Sequence, residues 1–464
     1  MSTTPTTHKG GVVPSEPMPP GIQNVYLFDV FNTASWSAVL GAPMMLFLQH
    51  LNATATLIAV AAGMSPVLNI LQIPAARFVE KVGYRRFVLA GWTSRSFLVI
   101  GMTIVALLPE SIPSMTRILM MLSLSFIYNA MRGISACGIL PWFTHIVPES
   151  RRGEFLARDQ SANAFAGIVT LLLFAMLLAG GHRWYSFGLI FALSFAAAMV
   201  SLYFLRRVPD VPVEKVVSNI ATIPWKQMLF YQPFYRYIRF NILMNTALGA
   251  SGAFWVRYFK VHLHLSGSNV LYIACGTNIV TVLALLLITS VIDRTHNKQV
   301  LTLAGICFML HFIGWGCIAA GVISFSWTML VIQAITSGFG GALWNLANMR
   351  MIMGIVPAMG RPHFLALYSV AANLTIGIVP LFWGPIMDHL ADWHAFWGAW
   401  EWNCYTVLYC ALTFTMILGL CILQTLDEPK KMTWDVFMSE LLVKTPSRAV
   451  SRIIGRLRGP TTLG

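Results

Sequence analysis

Twelve runs of about twenty mostly apolar residues follow one another along this chain, and no other feature limits its fold so strongly. They lie near 23–50, 54–76, 87–108, 117–142, 156–179 and 184–205. After a polar stretch they resume near 238–261, 268–292, 299–320, 325–349, 364–387 and 399–424. A helix needs about 20 apolar residues to cross a hydrocarbon layer of roughly 30 Å. Only 10% of the 464 residues are charged, against about 25% in an ordinary soluble domain. The expectation is an all-α polytopic membrane protein of twelve transmembrane helices. Soluble enzymes, disordered chains and secreted disulfide scaffolds are excluded.

The 31 Lys and Arg outnumber the 17 Asp and Glu, and their placement explains why. With the N-terminus inside, 25 of them fall on cytoplasmic segments and three (Arg117, Arg183, Lys260) on outer loops. That is the positive-inside pattern, so both termini are expected in the cytoplasm and the excess calls for no nucleic acid. The expected organisation is a polar tail over 1–22, a six-helix bundle over 23–205, a cytoplasmic linker over 206–237, a second bundle over 238–425 and a basic tail over 426–464. The first tail has no apolar core of a cleavable signal. The seven cysteines lie in apolar runs without CxxC spacing, as small buried hydrophobes do.

The halves repeat. Ile146-Val-Pro-Glu-Ser-Arg-Arg-Gly-Glu-Phe-Leu-Ala157 matches Ile355-Val-Pro-Ala-Met-Gly-Arg-Pro-His-Phe-Leu-Ala366, and Asn163, Gly167, Ile168 and Val169 then match Asn373, Gly377, Ile378 and Val379. Each segment falls where the fourth apolar run of its half passes to the fifth. A repeated six-helix unit implies two pseudo-symmetric bundles that can rock about a site between them.

Between the second and third runs the chain reads Ala76-Arg-Phe-Val-Glu80-Lys81-Val-Gly83-Tyr-Arg85-Arg86. This resembles the loop signature of the major facilitator superfamily, Gly-x-Leu-Ala-Asp-Arg-x-Gly-Arg-Arg, with Ala76 and Glu80 replacing its first Gly and its Asp. The corresponding loop of the second half, Thr289-Ser-Val-Ile-Asp293-Arg294-Thr-His-Asn-Lys298, keeps the Asp-Arg pair and loses both glycines. The resemblance implies a cytoplasmic gate formed by Glu80, Gly83, Arg85 and Arg86, with Asp293 and Arg294 as weaker counterparts. Arg151 and Asp159, at the start of the fifth helix, are expected to join it through a salt bridge of Asp159 with Arg151, Arg152 or Arg158.

Charged groups at bilayer depth face a cavity or a partner. Arg132, near the middle of the fourth helix on one face with Ser125 and Asn129, suits either an anionic substrate group or a helix-locking ion pair. Asp29 shares a face of the first helix with Asn32 and Trp36. It suits either proton coupling or an interfacial acid. Asn163 adds to a polar face of the fifth helix. The second half offers uncharged stripes: Asn241 and Asn245, then Trp344, Asn345 and Asn348, then Asn373. These suit a cavity for hydroxylated or carboxylated solutes, or hydrogen bonding between helices. Asp388, His389, Asp392 and His394 read as a solvated outer loop beside an aromatic belt, and no metal site or cofactor is expected.

The expected function is secondary active transport of a small polar solute, anionic or neutral, by alternating access. A proton or solute gradient would drive it, since no nucleotide motif stands in a usable context. The expected setting is a monomer in the plasma (inner) membrane. The competing reading is a scaffold or sensor that kept the fold and lost transport.

Overall fold

The computed structural model describes residues 18–19, 21–148, 151–180, 185–211, 230–288, 296–357 and 361–426. Among these residues the first half forms α1 (Ile22–Leu40), α2 (Ala42–His50), α3 (Ala55–Leu68), α4 (Gln72–Val82), α5 (Tyr84–Leu107), α6 (Ser114–Ala136), α7 (Ile139–Ile146), α8 (Arg152–Ala179) and α9 (Ser186–Leu205). The second forms α10 (Gln232–Arg257), α11 (Gly267–Ile288), α12 (Asn297–Ala319), α13 (Trp327–Ile355), α14 (Arg361–His389) and α15 (Cys404–Gln424). A hairpin of β1 (Ala395–Trp397) and β2 (Trp400–Trp402) joins the last two.

Eleven described spans are long and apolar enough to cross a membrane, counting α1/α2, α3/α4 and α6/α7 as single broken spans. The twelfth, α10, is 26 residues long and less apolar, since Arg236, Arg239, Asn241 and Asn245 fall within it. It begins at Gln232, so the last six residues expected in the linker are helical. The rest of that segment, 212–229, and the tails 1–17 and 427–464 lie outside the described residues.

The two halves pack alike. In the first, span one packs on five and six, three on four and six, and two on four; in the second, seven packs on eleven and twelve, nine on ten and twelve, and eight on ten. The contacts between halves obey the same dyad, with span two on eleven and five on eight. The repeated motif sits where this symmetry requires. Val147 and Val356 close the preceding helices, and Phe155 and Phe364 are both buried in the next.

Twelve crossings bring the start of α1 and the end of α15 to one side, the terminal side. On the opposite, far side, α3 and α14 approach through small residues. A Cβ on Gly63 would lie 2.4 Å from the Gly377 carbonyl oxygen, and one on Gly384 2.7 Å from the Thr56 Cα. Lipid offers helices no hydrophobic drive to associate, so backbone proximity and dispersion must hold such a seam. Gly63→Val is expected to cost about 1–3 kcal/mol and to lower the thermal unfolding midpoint of the detergent-purified protein. Gly341→Ala, where nothing lies within 4 Å of the added methyl, is expected to leave that midpoint unchanged or raise it. An unchanged midpoint for Gly63→Val would contradict the close seam.

Candidate functional site

Helices in a bilayer break only where protein or a wet cavity receives the freed backbone groups. The first span breaks at Gly41, which is extended at φ −99° and ψ −165°, with Pro43 in the first turn of α2. Gly41 and Ala42 line a cavity of about 410 Å³ between the halves. Trp36 and Gly167 from the first half face Trp255, Asn278, His311, Trp315, Gln333 and Tyr409 from the second across it. Gly167 lies 15 residues into α8 and Asn278 11 residues into α11, which places the cavity near mid-depth.

The other two broken spans frame a second cavity, of about 390 Å³, nearer the terminal side. Its walls come from the 3-10 turn Asn69–Leu71 between α3 and α4, the α6/α7 junction at Cys137, and Ser369 and Asn373 of α14. Asn69 donates to Asn373 across the halves at 3.3 Å. Arg132 reaches this place from behind, with Nη2 2.7 Å from Ser65 Oγ and 3.0 Å from Asn69 Oδ1. Both partners are uncharged, and its Nε is buried without a hydrogen-bond partner among the described residues.

Asp29 points to α8. Its carboxyl is within hydrogen-bonding reach of Asp159. Asn163 Nδ2 donates to Asp159 Oδ2 at 3.2 Å, and Thr33 Oγ1 donates to Asn163 Oδ1 at 2.9 Å. Of the arginines expected beside Asp159, Arg151 and Arg158 both pair with Glu154, at 2.9 and 2.6 Å, and the side chain of Arg152 lies outside the described residues. A hydrogen bond between two carboxyl groups exists only while one keeps its proton. Asn32 is turned the other way, accepting from Arg95 and, at 3.3 Å, from Trp92 Nε1. The Arg95 guanidinium lies 4.0 Å from the Trp92 ring centroid, a stacking that steadies a buried cation.

The asparagines of the second half mostly tie helices together. Tyr237 donates to Asn348, Asn348 donates to Tyr368 at 2.6 Å, and Tyr368 donates to Asn241 at 3.2 Å, linking α10, α13 and α14. Trp344 is buried edge-on against Phe240, Asn345 is exposed, and Asn245 is buried. Asn129 is also buried and donates to the Ser125 carbonyl of its own helix. Of the residues expected to line one cavity, Trp36 lines the larger and Asn373 the smaller.

At the terminal-side loop Gly83 has φ +88°, a conformation that favours glycine. Arg85 donates to the Arg206 carbonyl at the end of α9, at 2.5 Å, where a cation complements a helix C-terminus. It thus ties the loop to its own half. Arg86 is exposed. Glu80 lies in the last turn of α4, while Asp293 and Arg294 lie outside the described residues.

Two features escaped the sequence reading. Asp388, expected in a solvated loop, lies in the last turn of α14 and caps the N-terminus of α3 in the other half. Its carboxylate accepts from Ala55 N at 2.6 Å, Thr56 N at 2.8 Å and Thr56 Oγ1 at 2.6 Å. Beside it Arg257 Nη1 donates to the Ala53 carbonyl at 3.0 Å, a second contact that joins the halves on the far side. The signal was Thr54 as a capping residue before α3, but its partner stands 333 residues away in sequence. The other feature is His311, a lone histidine in an apolar run that lines the larger cavity.

Two copies of one bundle facing each other across mid-depth cavities make this a multi-pass membrane protein built as a secondary transporter. The chain belongs to the major facilitator superfamily, whose family model matches residues 26–325. A point variant of the nucleoside transporter NupG is similar in structure, with TM-score 0.68, 11% identity, and coverage of 88% of this chain and all of that one. A D-xylose–proton symporter gives 0.68 at 13%, covering 88% and 97%. The inward-open xylose transporter XylE from E. coli gives 0.61 at 14%, covering 89% and 97%. At these identities the likeness shows the fold alone. The curated proteins include no match.

Each charge-assisted bond at Asp388 is worth about 1.5–3 kcal/mol. Asp388→Asn is therefore expected to raise the population open on the far side by about tenfold. Distances between spin labels on Ser111 and Val322 would show it, and an unchanged distribution would reject a sealing role.

Proposed function

We propose that the protein is a proton-coupled carrier that moves a small polar organic solute, anionic or neutral, by alternating access in the plasma (inner) membrane. The positive-inside count supports placing the terminal side in the cytoplasm. On that assignment the Asp388 and Arg257 contacts close the outer face, and this is a state sealed to the outside.

The observation that carries the reading is the cavity between two duplicated bundles, walled by residues of both. Opening the far side must break bonds made only between halves. A bound solute drives such an exchange when its contacts differ between the two states. The carboxyl pair Asp29–Asp159, tied through Asn163 to Thr33, supplies a proton site on the helices α1 and α8 that also wall the cavity. Movement of α1 against α8 separates the two carboxyls, and each then ionises or stays neutral according to its own surroundings. That links proton release to the same motion. The chain is taken to work as a monomer, with each cavity complete within one copy.

Vesicles reconstituted with the protein and loaded with a pH-sensitive dye would test this against sugars, sugar acids, nucleosides and carboxylates. At least one class is expected to drive proton movement. Asp29→Asn is expected to abolish the coupled proton signal while leaving solute exchange measurable. Intact coupling in that variant would remove Asp29 from the mechanism, and proton movement with no member of the panel would count against the carrier.

A further inference from the structure

The larger cavity has an uneven lining. Flat apolar walls come from Trp36 of the first half and Trp255, Phe259, Trp315 and Tyr409 of the second. Its remaining polar groups are hydroxyls, amides and one imidazole, and among the described residues no carboxylate, lysine or arginine lines it. Arg95 and Arg132 of the first half are held elsewhere, Arg95 by Asn32 and Trp92, Arg132 by Ser65 and Asn69. An ion entering this cavity would shed water and meet no countercharge on its walls, which is costly.

All of these polar side chains but Ser37 come from the second half. His311 Nδ1 lies 3.1 Å from the Gln333 carbonyl oxygen. A carbonyl only accepts, so Nδ1 carries the proton and Nε2 of the neutral ring is an acceptor. Gln333 itself is 5% exposed, and its Oε1 is buried without a hydrogen-bond partner among the described residues. Its amide lies where α12 has no side chain: a Cβ on Gly314 would sit 1.7 Å from Gln333 Nε2. A buried amide oxygen left unpaired costs about 1–3 kcal/mol, and this one belongs to a residue of the cavity wall. A turn of the Gln333 side chain would bring it to the cavity, where a ligand hydroxyl or N–H would satisfy it.

We propose that His311 and Gln333, with room made by Gly314, form the polar recognition point of this cavity for an uncharged, ring-bearing, hydroxylated solute whose ring packs between the tryptophans. This rests on the carrier reading and narrows its solute from anionic or neutral to neutral. The solute offers donors to the two acceptors and a flat face to Trp36, Trp255 and Trp315.

The test uses full-length protein in detergent and three probes of one shape: phenyl β-glucoside (neutral), phenyl β-glucuronide (anion) and the 2-amino-2-deoxy analogue of the glucoside (cation). Binding is read by tryptophan quenching and by thermal shift. The neutral probe is expected to bind most tightly. Gln333→Leu and Gly314→Ala, the second of which displaces the amide without deleting a polar group, are each expected to weaken it about tenfold. Each variant is first matched to wild type in elution volume and unfolding midpoint, and Gln333→Leu serves alone should Gly314→Ala misfold. Tighter binding of either charged probe, full affinity in Gln333→Leu, or no binding of the neutral probe would overturn the proposal. Solute-driven proton uptake that persists unchanged in Gln333→Leu vesicles would overturn it while leaving the carrier standing. Loss of such uptake with every solute in wild-type vesicles would bring down the carrier as well.

Discussion

A polypeptide inside lipid has no solvent to receive its amides, and that constraint organises this molecule. Among the described residues, spanning helices are interrupted at Gly41, at Asn69–Leu71 and at Cys137–Gly138. Each interruption borders a cavity between the two bundles. Sequence punctuation (Gly41 before Pro43, Pro66 ahead of Asn69, Gly138 ahead of Pro141) thus translates into local loss of helix, and that loss into wet space at mid-depth. The polar side chains then divide the work. Some knit helices, as the Tyr237–Asn348–Tyr368–Asn241 network does, and a smaller number face open volume.

Buried charge follows the same economy of partners. Arg95 and Arg132 are held by amides, a hydroxyl and an indole face, with no carboxylate among the contacts described above. The two acids at comparable depth pair with one another. An Arg–Asp pair would cancel charge and hold its helices in one state. Keeping the cations apart from the acids leaves Asp29 and Asp159 facing one another on helices that also line the cavity.

The architecture was legible in the sequence because its signals are long. Twenty-residue apolar runs fix the number of crossings, and the motif at 146–157 and 355–366 fixes the duplication; both survive error of several residues at any boundary. The site was less legible because its partners are distant and its residue types ambiguous. Asparagines at helical spacing serve equally as cavity lining or interhelical tie, and Asn241 and Asn348 proved to be ties while Asn373 borders a cavity. Arg132 suits an anionic group or an ion pair by sequence, but its partners in the fold, Ser65 and Asn69, are uncharged and lie on another span that no local pattern identifies. Asp388 was misread because four tryptophans nearby suggest an interfacial loop, whereas its carboxylate reaches helix α3 of the opposite bundle. His311 has no neighbouring polar residue within its apolar run, and only folding brings Gln333 beside it.

Duplication gave the molecule Gly167 and Gly377 at matching places, and they have since parted company. A methyl group on Gly377 would lie 2.5 Å from Val67 Cγ2 and 2.9 Å from the Gly63 oxygen, whereas on Gly167 it would find only Thr33 Cγ2, at 3.9 Å. One twin is thereby frozen by its neighbours, and the other is at liberty to acquire bulk. Descendants of this gene can reshape what the hollow admits by mutating position 167, while its sister at 377 must stay as the ancestor left it.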